Sequence, residues 1–206
     1  MKSTICLIRH GLTEGNLRRL YYGATDIPLS ETGVAELGKL AAAGIYPQAE
    51  DAEFYTTGMV RTEQTLQLIY GTREHKVLPL LKEIDFGDFE MRSYEEMKDD
   101  PVYQHWISDK TGTLSPPGGE SIMQFKDRIN EGFEDLLKRH ALRILQLRNR
   151  GREAMSVVVC HGGPVSAILE HIFPGEKENF YQWIPDPGHG YILTLEDLGI
   201  VSAEKF

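Results

Sequence analysis

Two stretches, Thr4-Ile5-Cys6-Leu7-Ile8-Arg9-His10-Gly11 and Ser156-Val157-Val158-Val159-Cys160-His161-Gly162-Gly163, share one pattern: a short apolar run, then a histidine, then glycine. Runs this short without polar alternation are those of strands covered on both faces, as in a parallel sheet. In such sheets ligands sit beyond the carboxyl ends of the strands. Both histidines are therefore predicted to point into one crevice. A single strand-end histidine would read as a structural residue; two in the same position read as a site.

Working outward, residues 53–57, 77–81 and 191–195 are further strand candidates. Helices are predicted over 31–43, 59–69 and 164–173. Ser93 with Glu96 and Ser121 with Gln124 are capping-box pairs, each opening a helix. After the second pair, Ile122, Phe125, Ile129, Phe133, Leu136 and Leu137 recur at helical spacing, and Gly151 is a plausible stop. Alternating strands and helices predict an α/β fold, a three-layer α/β/α sandwich with a mostly parallel central sheet. Residues 88–119 hold Pro101, Pro116, Pro117 and several aromatics and fit this alternation poorly. They are read as a lid inserted into a single domain spanning residues 1–206.

The chain has 206 residues, 41% of them hydrophobic, enough for a core. Its formal charge of −9 opposes a broad nucleic-acid surface, yet two or three arginines can still make a cationic hole. No apolar stretch approaches a membrane span. The run 4–8 is too short for a signal sequence, so a cytoplasmic enzyme without membrane partners is expected. Cys6 and Cys160 are the only cysteines. If His10 and His161 lie level on neighbouring strands, Cys6 sits three residues deeper, about 10 Å at ~3.3 Å per residue. That is too far for a disulfide, and both thiols are read as structural.

Arg9 and Arg61 join the histidines as candidates. Guanidinium forks match phosphate oxygens and stay charged at every working pH. Two arginines and two imidazoles suit a dianion. Backbone N–H groups following Gly11 and Gly162 could add donors at a helix start.

The run Arg9-His10-Gly11-Leu12-Thr13-Glu14-Gly15-Asn16 resembles the opening motif of the histidine phosphatase, or phosphoglycerate mutase-like, superfamily. Further blocks resemble that family in its order. They are Tyr21 to Gly33, Thr57 to Thr65, Leu81-Lys82-Glu83-Ile84-Asp85-Phe86-Gly87, Pro117 to Ser121, and Val159 to Gly163. The segment Leu20 to Leu29 resembles the α-ribazole-5′-phosphate phosphatase branch. The resemblance implies that His10 attacks phosphorus and becomes phosphohistidine. It implies that Arg9, Arg61 and His161 hold the phosphoryl oxygens with help from Asn16. Glu83 then protonates the leaving oxygen and later activates water. No cofactor is implied. Leu12, Gly15, Tyr22 and Gly58 depart from the family's usual residues, where an acid, an aromatic, glutamine and proline are common. They fall at the pocket rim, so Tyr22 is a candidate substrate contact.

A phosphomonoesterase acting on a small phosphorylated metabolite is the predicted function. The alternative within the fold is phosphoglycerate mutase. Mutases of this family follow the acid with an arginine and a tyrosine-glycine pair, whereas Glu83 is followed by Ile84-Asp85-Phe86-Gly87. A second alternative is an inactive protein that only binds phosphoryl ligands, but nucleophile and acid are both present. Sugar phosphates and α-ribazole phosphate both fit the pocket core. No metal is expected, because His75, His105, His140, His171 and His189 show no HxH or HExxH spacing. His189 could approach the site from a late loop or lie in solvent. The arginines between 139 and 152 read as a solvated helix face. Phe89, Tyr94, Tyr103 and Trp106 either pack the lid or stack on a ring in the leaving group.

Overall fold

The computed structural model describes residues 2–148 and 150–206. In chain order the elements are β1 (Lys2–Arg9), α1 (Glu14–Leu17), β2 (Leu20–Tyr21), α2 (Glu31–Ala42), β3 (Glu53–Thr56), α3 (Val60–Tyr70) and β4 (His75–Val77). There follow β5 (Arg92–Ser93), α4 (Tyr94–Met97), α5 (Pro101–Ile107), α6 (Ile122–Arg148), β6 (Met155–Cys160), α7 (Gly162–Ile172), β7 (Gly190–Glu196) and β8 (Gly199–Lys205).

Six strands form the central sheet in the order β4-β3-β6-β1-β7-β8. The first four are parallel, and β7 runs against β1 and β8 against β7. Strand residues alternate between two cores. Ile5, Leu7, Val158 and Cys160 face α6 and α7 through Phe125, Ile129, Phe133, Val165 and Ile168. Cys6, Ile8, Val157 and Val159 face the other way, toward Tyr46, Leu66 and Ile69. The expected three layers are therefore present, with each fully buried aliphatic side chain contributing roughly 1.5–3 kcal/mol.

The pairing Arg9–Cys160 sets Cys6 beside Val157, three positions deeper. The two thiols also lie in different cores, on opposite faces of the sheet. Burial raises both, Cys160 to about 12, which leaves them unreactive.

Capping decides where the helices begin. The Ser121 hydroxyl accepts from Gln124 N, and Gln124 Oε1 accepts from Ser121 N, just ahead of α6. Ser93 and Glu96 make the same reciprocal pair at α4. Gly151, expected as a stop, stands at φ 64 shortly after α6. The strand expected at 77–81 ends at Val77, because Pro79 has no N–H for a ladder and opens a 3-10 turn over Pro79–Leu81. Strand β8 was not expected. It is a polar, half-exposed edge strand held by a tight turn in which Asp197 and Leu198 have φ 47 and 71.

Residues 87–119 leave the sheet as a small helical excursion. Its centre is Phe89, Met97 and Tyr103, packed with Tyr21, Phe86 and Trp106. A two-stranded pairing of β2 with β5 ties it to the segment after α1.

Candidate active site

The register of β1 and β6 brings His10 and His161 level, with ring centroids 5.2 Å apart. His10 is 3% exposed and lines a cavity of about 480 Å³. Its Nδ1 lies 2.7 Å from the Gly11 carbonyl. A carbonyl only accepts, so Nδ1 carries the proton and Nε2 keeps its lone pair. Burial, then the Arg61 charge, holds the imidazole well below its ordinary range, with Arg9 adding to this and the Gly11 hydrogen bond opposing it. Burial and the neighbouring guanidinium groups thus favour the neutral imidazole.

Arg61 is fully buried but for its contact with the cavity. Its Nε donates to His161 Nδ1 (3.2 Å), Nη1 to Thr25 O (2.9 Å) and Nη2 to Gly23 O (2.8 Å). Guanidinium has five N–H donors, so one on each terminal nitrogen remains for a ligand. Arg9 donates through Nη1 to Pro185 O, while its Nε is buried without a partner.

Glu83 is half-buried at the amino end of α7. Its carboxylate accepts from Gly163 N and Ile84 N, both at 3.0 Å. Burial raises its pKa, against those two hydrogen bonds and the charges of Arg9 and Arg61. A Cβ at 163 would stand 2.2 Å from a carboxylate oxygen and push the acid aside, so glycine there lets Glu83 keep its place. The acid, the neutral imidazole and two guanidinium groups thus share one cavity end.

A family model described as histidine phosphatase superfamily (branch 1) matches residues 5–204. The chain belongs to that superfamily. It is 30% identical over 177 residues to the 2,3-bisphosphoglycerate-dependent phosphoglycerate mutase of Xanthobacter autotrophicus, covering 80% of this chain and 78% of that one. It is 26% identical over 170 residues to the adenosylcobalamin/alpha-ribazole phosphatase of Escherichia coli, covering 79% and 81%. A crystal structure of phosphoglycerate mutase from Thermus thermophilus superposes with a TM-score of 0.66 at 27% identity, covering 97% of each chain. Similarity to both kinds of relative leaves the choice of reaction to the site itself.

Not every expected group reaches the cavity. The His161 ring lies beneath it, because Nδ1 accepts from Arg61 and Nε2 then donates to Thr57 Oγ1 at 2.9 Å. It braces Arg61 and is absent from the cavity wall. Gly11 is also absent from the wall, and its N–H goes to Thr65 Oγ1. Gly162 packs against the Arg9 guanidinium, and Gly163, one residue on, lines the cavity in its place. Asn16 does line it. Its oxygen accepts from Thr13, leaving the amide N–H pair as what it can offer. His189 approaches only by its backbone, whose carbonyl accepts from Arg9 N.

Tyr22 lines the cavity beneath the Arg61 guanidinium, 5.2 Å from ring centroid to Cζ, with its hydroxyl on Thr13. Two departures from the family pattern prove to be one feature here. A Cβ at Gly15 would lie 2.5 Å from the Tyr22 ring, so the missing side chain makes the room that the tyrosine fills.

Two further residues escaped the sequence reading. Glu90 accepts from the backbone N–H groups of Gly23, Ala24, Thr25 and Phe86 and from Thr25 Oγ1. The loop it gathers is the one whose carbonyls hold Arg61. Arg128 donates to the carbonyls of Leu80, Lys82 and Glu83 and pairs with Glu120, fixing the backbone that carries Glu83. Neither falls in a recognisable spacing, since most of their partners are backbone atoms of distant segments.

Proposed function

We propose that this protein is a phosphomonoesterase that works through a phosphohistidine on His10 and needs no metal. The reading rests chiefly on one observation: His10 with Nδ1 on the Gly11 carbonyl and its Nε2 lone pair free, at the cavity end shared by Arg9, Arg61 and Glu83. In the first step Nε2 attacks phosphorus while the bond to the ester oxygen breaks. Glu83 gives its proton to that oxygen. In the second step Glu83 takes a proton from water, the resulting hydroxide attacks phosphorus, and the bond to Nε2 breaks. Dividing one displacement into two is a common enzymatic route, and the guanidinium groups meet the charge on the equatorial oxygens.

The mutase reading draws support from the relatives that bear that name. It requires the phosphoenzyme to be kept from water and a second anionic group to be gripped. Beyond Arg9 and Arg61, Lys126 is the sole cation of the cavity wall among the described residues, and it is paired with Glu170. That favours release of inorganic phosphate.

A rapid-quench experiment with a ³²P-labelled monoester tests the proposal. Label is expected on His10, absent in His10→Ala, and turnover is expected to survive prolonged EDTA treatment. Label on Cys160, or a fully active His10→Ala enzyme, would overturn the mechanism; activity lost to EDTA and restored by metal would overturn metal independence. Rapid conversion of 3-phosphoglycerate to 2-phosphoglycerate with negligible free phosphate would establish the mutase instead.

A further inference from the structure

The part of the cavity away from His10 has a composition unlike its phosphate end. Leu20, Phe86, Trp106 and Ile122 form much of its wall, while Phe125 and Ile184 flank Glu83 and Arg9. Tyr21, Phe86 and Trp106 meet one another edge to face, with centroids 5.3 to 6.2 Å apart. Apart from the exposed Tyr181 hydroxyl, the polar side chains there are engaged elsewhere. The Tyr21 hydroxyl is tied to Tyr103 and the Tyr22 hydroxyl to Thr13. The two oxygens of Asp109 take the N–H groups of Thr111 and Leu114 and the Thr111 hydroxyl. Lys126 is paired with Glu170 and lies over the Phe180 ring.

A sugar would need several hydrogen-bonding side chains to replace the water it loses, and a second phosphate or a carboxylate would need a free cation. Among the described residues this wall offers one unengaged hydroxyl, that of Tyr181, and no unpaired cation. Its volume lies within the range of pockets that enclose ring-bearing small molecules.

We infer that the outer cavity is a leaving-group subsite for an uncharged, apolar, ring-bearing alcohol, and that the substrate is the phosphomonoester of such an alcohol. This narrows the sequence reading, in which sugar phosphates were equally compatible. It rests on the phosphomonoesterase reading, with the phosphate end placed at His10. Apolar surface drives binding, and the edge-to-face aromatics favour a flat ring. Distinguishing one methylene in such a pocket is worth roughly 10- to 200-fold.

The test compares kcat/KM for 2-phenylethyl phosphate, ethyl phosphate, glucose 6-phosphate and 3-phosphoglycerate. All four have alkyl leaving groups, so leaving-group acidity differs little among them. The phenylethyl ester is expected to exceed each of the others by about a hundredfold or more. In Trp106→Ala its advantage over ethyl phosphate should fall at least about tenfold. Ile122→Ser, at the start of α6, should reduce that advantage too and serves if Trp106→Ala does not fold. A preference for glucose 6-phosphate or 3-phosphoglycerate, or an unchanged ratio in both variants, would overturn the inference. Calorimetry with 2-phenylethylphosphonate and ethylphosphonate separates the two readings. With no turnover of any ester, tighter binding of the phenylethyl compound would uphold the subsite while the esterase reading failed. Equal binding of the two compounds would refute the subsite whether or not the esters turn over.

Discussion

Removing the Glu90 carboxylate should damage the site from behind. Its two oxygens accept from five donors at 2.6 to 3.1 Å: the amides of Gly23, Ala24, Thr25 and Phe86 and the Thr25 hydroxyl. Hydrogen bonds to a charged group contribute about 1.5–3 kcal/mol each. Ala24 and its neighbours stand partly in solvent, so water replaces several of these bonds when the carboxylate is gone. A net loss of about 2–4 kcal/mol follows for Glu90→Ala, the size expected for a broken hydrogen-bond network. In a chain of this size that lowers Tm by roughly 5–15 °C. Gln at 90 keeps the shape and one acceptor oxygen but presents an NH₂ to at least one amide, so a smaller loss is expected. The functional effect travels through Gly23 O and Thr25 O, which hold the two terminal nitrogens of Arg61. A misplaced guanidinium costs up to about a hundredfold in turnover. It should also weaken competitive inhibition by vanadate, which a loss of stability alone would not do. The decisive assay is a double-mutant cycle on vanadate affinity. Glu90→Gln should weaken vanadate in the native background and have little effect once Arg61 is Ala. An equal penalty in both backgrounds would refute the argument that Glu90 acts through Arg61.

Two other outcomes are expected. His10 must be neutral and Glu83 protonated to react; burial lowers the first pKa and raises the second, so the active form persists both further into acid and further toward neutrality than free groups allow. The kcat/KM profile should therefore show an alkaline limb that disappears in Glu83→Gln, and a limb that survives unchanged would exclude Glu83 as the acid. His140 is buried with Nδ1 on Ser156 Oγ, and burial holds it down at about 4 in the folded state. The unfolded chain takes up this proton near the ordinary value of about 6.5, so stability falls as pH drops from there to 4, by up to about 3 kcal/mol. Urea unfolding at pH 7 and 4.5 should show a difference smaller by about 2 kcal/mol in His140→Leu, and an unchanged difference would assign the acid sensitivity to other groups.

The sequence alone was sufficient for the sheet's centre and for four side chains that the fold gathers at one cavity. Short apolar runs without polar alternation suit strands covered on both faces, and β1 and β6 are such strands. Arg9, His10, Arg61 and Glu83 were legible because each belongs to a block whose residues are neighbours in the chain. Tertiary structure decided what local spacing does not encode. The tautomer of His10 follows from where the Gly11 carbonyl points. The place of His161 beneath the cavity follows from Thr57 and Arg61, far away in the chain. Tyr103, an aromatic candidate for the leaving group, is fully buried in the small core over 87–119, whereas Trp106 lines the cavity. Sequence supplies the same apolar side chains to a core and to a substrate wall. Only packing determines which of their faces are covered by protein and which are left for a ligand.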